Sequence, residues 1–147
     1  MVNGMTHCIL VPWDGSDCAR KALDYAIRLA RAQGDCTVHV AHAHEEPVVY
    51  GEIAVYVTRE KMEQFQRDQS ASVLADAESV LRAAGVPFRA EVLIGPVAKV
   101  LADRAAALGC DSIVMGTHGR GTVGTLVMGS VAAKVIHYSQ LPVTLVK

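Results

Sequence analysis

The sequence predicts a single α/β domain, a parallel sheet of five strands with helices on both faces. Three observations predict it. Short apolar runs alternate with helical segments along the whole chain, the pattern of repeated strand–helix–strand units. The length, 147 residues, suits one domain with one well-buried core. No internal repeat, low-complexity tract or linker divides the chain, so residues 1–147 read as one unit.

The elements follow in order. His7–Trp13 is an apolar run ending in a turn, the first strand. Ser16 is placed to cap a helix whose Ala19, Ala22, Leu23, Ala26, Ile27 and Ala30 form one apolar stripe, closed by Gly34. Cys36–His44 alternates loosely as a second strand. Glu45–Val57, with Pro47, Gly51 and several Val and Tyr residues, reads as a long excursion from the end of that strand. Thr58–Ala84 is helical, polar and solvated over 61–72, then striped by Val73, Ala77, Val80, Leu81 and Ala84 up to Gly85. Phe88–Ile94 is the third strand. Gly95-Pro96 opens a helix with Pro at its first position, where a missing N–H costs nothing, and Val97, Val100, Leu101, Ala105 and Leu108 face its core up to Gly109. Ser112–Met115 is the fourth strand, Gly129–His137 the last helix and Leu141–Val146 the last strand.

Bulk properties exclude several roles. A net charge of −1 gives no electrostatic case for nucleic acid or an anionic membrane as partner. No apolar run reaches the roughly 18–20 residues that span a bilayer. The first residues lack a basic stretch followed by a long apolar core, so no signal peptide is expected and the location reads as cytoplasmic. Four cysteines at 8, 18, 36 and 110, none in a C-x-x-C pair, read as small, mostly buried hydrophobes, with a redox role as the alternative.

Chemistry concentrates in residues 116–130. The fourth strand runs into a loop with Gly at 116, 119, 121 and 124, and Gly129-Ser130 then opens a helix. Glycine removes the Cβ that blocks close approach, and a helix start offers unpaired N–H groups and a positive dipole end. Gly116, Gly119 and Gly129 would let backbone donors surround phosphates; Ser130 would cap the helix and offer its hydroxyl. Thr117, His118 and Arg120 would add side-chain contacts, the Arg fork suiting phosphate. A tight loop that needs glycine only to turn is the alternative. Asp14, just after the first strand, suits a ribose hydroxyl or a phosphate-bound magnesium, or else an Asx turn leading into Ser16. In open α/β sheets ligands sit beyond the carboxyl ends of the strands, where the strand order reverses. The turn after strand one and the loop after strand four are the ends richest in Asp, Gly and His.

The spacing Gly116-x2-Gly119-x9-Gly129-Ser130 resembles the ATP-binding signature of the universal stress protein family. Ile9–Ser16 resembles that family's first strand and acidic turn, and Leu141–Val146 its last strand, so the likeness spans nearly the whole chain. The resemblance implies a Rossmann-like, adenine nucleotide alpha hydrolase-like three-layer sandwich with strand order 3-2-1-4-5. It implies ATP as ligand, with Mg2+, and a small stress-response sensor or signalling module with at most slow hydrolysis. It adds Val131 to the nucleotide contacts and places Pro12 and Trp13 beside the base. Trp13 stands where many relatives carry a smaller residue, so its ring either stacks on the base or occludes it. Ala41 matches an apolar residue that contacts adenine; a slip of one residue would substitute Val40 or His42 and reverse the face. The resemblance also implies a homodimer paired through strand 141–146.

His42 and His44 share a strand face but lack further ligands at a recognised spacing, so a metal centre there is not expected. No G-x-x-x-x-G-K-[ST], G-x-S-x-G or kinase signature set occurs. Two alternatives remain: a nucleotide-hydrolysing or nucleotide-transferring enzyme, and a non-nucleotide interaction module on the same fold.

Overall fold

The structure, a computed structural model, describes residues 6–46, 58–118 and 128–147. Its elements are β1 (His7–Pro12), α1 (Asp17–Gln33), β2 (Cys36–His44), α2 (Arg59–Ala84), β3 (Phe88–Ile94), α3 (Val97–Ala107), β4 (Ser112–Gly116), α4 (Ser130–Tyr138) and β5 (Val143–Val146). The five strands form one sheet of order β3-β2-β1-β4-β5, and every ladder is parallel. Parallel neighbours need crossover connections, and helices supply them here.

Alternation along β1 assigns the two faces. Ile9 and Val11 point into an apolar layer with Leu23, Ile27, Leu74 and Leu81 of α1 and α2. Leu10 points the other way, into a layer with Leu101 and Ala105 of α3 and Ala132 and Val135 of α4. The result is three layers, with α1 and α2 on one face and α3 and α4 on the other. β1 is the central strand of this sandwich, and its Leu10 and Val11 are fully buried.

The six residues expected to form the α1 stripe are the six buried on that helix, and the Ser16 hydroxyl accepts from Ala19 N at its start. Other boundaries move. β1 ends at Pro12, leaving Trp13 outside the strand, and β5 begins at Val143 rather than Leu141. Pro96 is the cap of α3 rather than its first residue: its ψ of 112° is extended, and its carbonyl accepts from Val100 N. The buried stripe of α3 is Ala98, Leu101, Ala102 and Ala105. Val97, Val100 and Leu108 are only half-buried, because small alanines let the helix lie close to the sheet. On α2 the buried positions are Ser70, Leu74, Ala77 and Leu81, with Val73, Val80 and Ala84 at the margin of the layer. Residues 47–57 of the expected excursion lie outside the described residues.

Candidate functional site

β1 and β4 are neighbours, but the chain leaves them toward opposite edges of the sheet. Their carboxyl ends therefore cannot both be covered by the same crossover, and a crevice opens there. A cleft of about 310 Å³ occupies that position. It sits at the lower end of the roughly 300–1,000 Å³ typical of small-molecule sites.

Three groups of residues build it. The β1–α1 turn supplies Pro12, Trp13, Asp14 and Ser16; the end of β2 supplies Ala41 and Ala43; β4 and the start of α4 supply Met115, Gly116, Thr117, His118, Gly129, Ser130, Val131 and Ala132. Ten of the residues singled out from sequence thus meet at one cleft: Pro12, Trp13, Asp14, Ala41, Gly116, Thr117, His118, Gly129, Ser130 and Val131. Gly119 and Arg120 lie outside the described residues.

The register decides the strand-two contact. Pro12 pairs with Ala41, and Trp13 N donates to the Ala41 carbonyl at 2.8 Å. Ala41 lies in the α3–α4 layer with Leu10, while Val40 lies in the opposite layer. Ala43, two residues on, faces the cleft as well; the strand period would have found it from Ala41. Ser16, Ala19, Val97, Leu101 and Ala132 also line the cleft and were not singled out, since each reads as an ordinary cap or core position.

Asp14 makes the Asx turn: its Oδ1 accepts from Ser16 N at 2.9 Å. It is also the one carboxylate among the described residues that line the cleft. Trp13 belongs to the α1–α2 layer, 5% exposed, with its indole Nε1 donating to the Val73 carbonyl at 2.8 Å. That bond ties the cleft wall to α2. The ring is held by the core.

Gly116 has a structural task of its own. A Cβ there would lie 2.7 Å from Cys18 Cβ and 2.8 Å from the Cys18 carbonyl carbon, so the first turn of α1 rests directly on this backbone. Thr117, largely buried, links three elements. Its N–H donates to Val146 of β5, its carbonyl accepts from Gly129 N at 2.7 Å, and its hydroxyl bonds His118 Nδ1 at 2.9 Å. His118 Nε2 is buried and has no hydrogen-bond partner among the described residues.

Gly129, not Ser130, is the cap of α4, and no side chain among the described residues caps that end. Ser130 is the first helical residue and is exposed, so its expected capping role is not seen. Helix geometry leaves the N–H groups of Ser130, Val131 and Ala132 without intrahelical acceptors at the cleft. His42 Nδ1 donates to the Trp13 carbonyl and His44 Nδ1 to the Glu45 carbonyl, both at 2.8 Å. Among the described residues no group of three His, Cys, Asp or Glu side chains is placed to hold a metal. No described helix is long and apolar enough to cross a membrane.

Comparison with known proteins agrees with this architecture. The profile of the Universal stress protein family matches residues 5–147. A universal stress protein from Thermus aquaticus is 34% identical over 145 residues, covering 97% of this chain and 100% of its own. The universal stress protein UspA of Lactobacillus plantarum superposes with a TM-score of 0.80 at 17% identity, over 99% and 100% of the two chains. A universal stress protein solved in complex with cAMP gives a TM-score of 0.66 at 24% identity, over 96% of each chain. One from Arabidopsis thaliana with AMP bound also gives 0.66, at 16% identity, over 96% and 91%. At these identities the solved structures speak to the fold.

Proposed function

The chain belongs to the universal stress protein family, and from that premise we propose that it is a one-domain, cytoplasmic module that binds an adenine nucleotide, ATP first among them, and signals under stress. The observation that carries this reading is the pairing of two surfaces in one cleft. An apolar slot (Pro12, Ala41, Ala43, Met115) shares the cleft with the helix start at Gly129–Ala132, which no described side chain caps. The slot suits a purine ring, and the helix start suits phosphate. His118 Nε2, buried and without a partner among the described residues, suits a phosphate oxygen as well. The adenine nucleotides in the two solved relatives support the same ligand class. Asp14 would hold Mg2+ through a single carboxylate together with the phosphates, a common arrangement for that ion.

The role is binding, with hydrolysis slow at most. Among the described residues Asp14 is the only acidic group at the cleft, and its Oδ1 already accepts from Ser16 N. A nucleotide-hydrolysing enzyme is the second reading, and phosphate release by purified protein separates the two. The β5 edge of the sheet is proposed to pair with a second copy, which light scattering of the purified chain checks.

Mass spectrometry of ligand released from freshly purified protein, followed by calorimetric titration with MgATP, tests the proposal. Gly129→Val is the decisive variant. Gly129 has φ −64° and ψ 158°, which valine adopts without backbone strain, so the variant tests the approach of phosphate once circular dichroism shows it folded. Affinity is expected to fall at least about tenfold, ~1.4 kcal/mol. Asp14→Asn keeps the acceptor for Ser16 N and removes the charge, so a loss in MgATP affinity with unchanged stability assigns Asp14 to the ligand. Parent-like binding by both variants removes the nucleotide from this cleft.

A further inference from the structure

The sequence scatters its four cysteines and pairs none, yet the fold brings two of them into contact. Cys8 on β1 and Cys110, in the turn between α3 and β4, are 102 positions apart, and their Sγ atoms lie 2.8 Å from each other. We propose that Cys8 and Cys110 are a redox-active dithiol that closes to an intramolecular disulfide on reaction with a peroxide.

Three hydrogen bonds anchor the backbone beside the pair. Cys110 N donates to Ala105 O at 3.0 Å, Asp111 N donates to Cys8 O at 2.8 Å, and Cys8 N donates to Asp111 Oδ2 at 2.9 Å. These bonds keep the two residues side by side, and an approach of roughly 0.8 Å brings the sulfurs to the ~2.05 Å of a disulfide. Gly109, at φ 67°, precedes Cys110 in a turn outside the ladder, where the backbone can adjust. The other two cysteines have no such neighbour among the described residues. Cys36 is buried in the opposite layer, and Cys18 lies in the first turn of α1.

The two thiols differ in the way a sequential reaction needs. Cys8 is partly exposed and is the thiol a small oxidant would reach first, while Cys110 is buried. The hydrogen bond from the Cys110 thiol holds the Cys8 thiol below its ordinary value, outweighing burial and the nearby Asp111 carboxylate. Cys110 is pushed up by donating that bond and by burial. The Cys8 thiolate attacks one peroxide oxygen. The O–O bond breaks, the other oxygen leaves as an alcohol or water after taking a proton, and Cys8 becomes a sulfenic acid. The Cys110 sulfur then attacks Cys8 Sγ, the S–O bond breaks, and the hydroxyl leaves as water with the Cys110 proton. Two thiols lose two electrons in all, and the peroxide gains them. This pair sits at the amino end of β1 and β4, opposite the cleft, and the inference does not rest on nucleotide binding.

The test exposes the reduced full-length chain to an equimolar dose of hydrogen peroxide, then alkylates and counts thiols under denaturing conditions. Free thiols are expected to fall from four to two, with the peptides holding Cys8 and Cys110 joined within one chain. In Cys110→Ser the same dose leaves a sulfenic acid on Cys8, trapped by a cyclic dione, and Cys8→Ser keeps its remaining thiols. Survival of all four thiols in the parent, oxidation at Cys18 or Cys36 instead, or a link found only between chains overturns the proposal. The parent chain carries the decisive reading, so it stands even where a variant does not fold.

Discussion

Gly116 illustrates how one residue can fit two explanations. Its place in the glycine spacing suggests room for phosphate, but the structure gives it a neighbour: Cys18, whose backbone and Cβ a side chain at 116 would strike below 3 Å. Gly116→Ala is therefore expected to destabilise the fold by about 1–3 kcal/mol, the ordinary cost of overpacking, with or without nucleotide. Denaturant unfolding reads this directly, and a parent-like midpoint would mean that α1 shifts away at no cost. Gly129 differs in backbone conformation, with φ −64° and ψ 158° that any residue adopts. Glycine count alone does not separate these two roles, because the atoms that crowd Gly116 come from a helix about a hundred positions earlier. Trp13 was hard to read for a similar reason: Val73, which accepts its indole N–H, lies far along the chain.

Elements whose two faces differ sharply in polarity were legible, and elements made of small residues were not. The stripe of α1 could be written down residue by residue from its spacing. The face of α3 was legible in part: Val97, Leu101, Ala105 and Leu108 belong to its layer, while the buried Ala98 and Ala102 carry no signal, since alanine fits both a tight interface and a solvated surface. A second inter-element feature carries no local signature at all. Glu91 on β3 accepts from both Arg104 Nε and Nη2 of α3, at 2.5 and 2.9 Å, and bonds His39 Nε2 of β2 at 3.2 Å. Burial pushes its carboxyl up, but the hydrogen bonds from Arg104 and His39 together outweigh it and hold the group below the usual glutamate range. The sign follows from linkage. A depressed folded pKa contributes stability above the unfolded value, about 4.3, and that contribution is lost as pH falls through the lower folded value. Glu91→Gln is expected to flatten this acid limb of the stability profile while lowering stability at neutral pH. An unchanged slope below pH ~4 would show that other carboxylates dominate acid unfolding.

The strand order of the whole molecule follows from the family resemblance, and the sheet adopts it, β3-β2-β1-β4-β5. That order is what turns residues from distant parts of the chain into one site: Pro12 and Ala41 are paired in the ladder, and Thr117, beyond the neighbouring β4, accepts from Gly129 N at the start of α4. A ligand that bridges the β1 turn and the α4 start should therefore stabilise the fold as a unit. At a free concentration a hundredfold above its dissociation constant, MgATP is expected to add about 2.7 kcal/mol to unfolding. For a chain of this size each kcal/mol raises the midpoint by about 2–4 °C. Thermal unfolding over a nucleotide series checks this, and a midpoint indifferent to nucleotide would contradict binding to the folded state.

The bond from Trp13 Nε1 to the Val73 carbonyl has an optical consequence. Trp13 is the molecule's single tryptophan, shielded from water, and it stands in the wall of the cleft. All indole emission from this protein therefore originates beside the proposed ligand. An occupant that stacks near the ring or strains its tether alters intensity and wavelength with no other indole to dilute the signal, so the chain carries its own unlabelled fluorophore at that position.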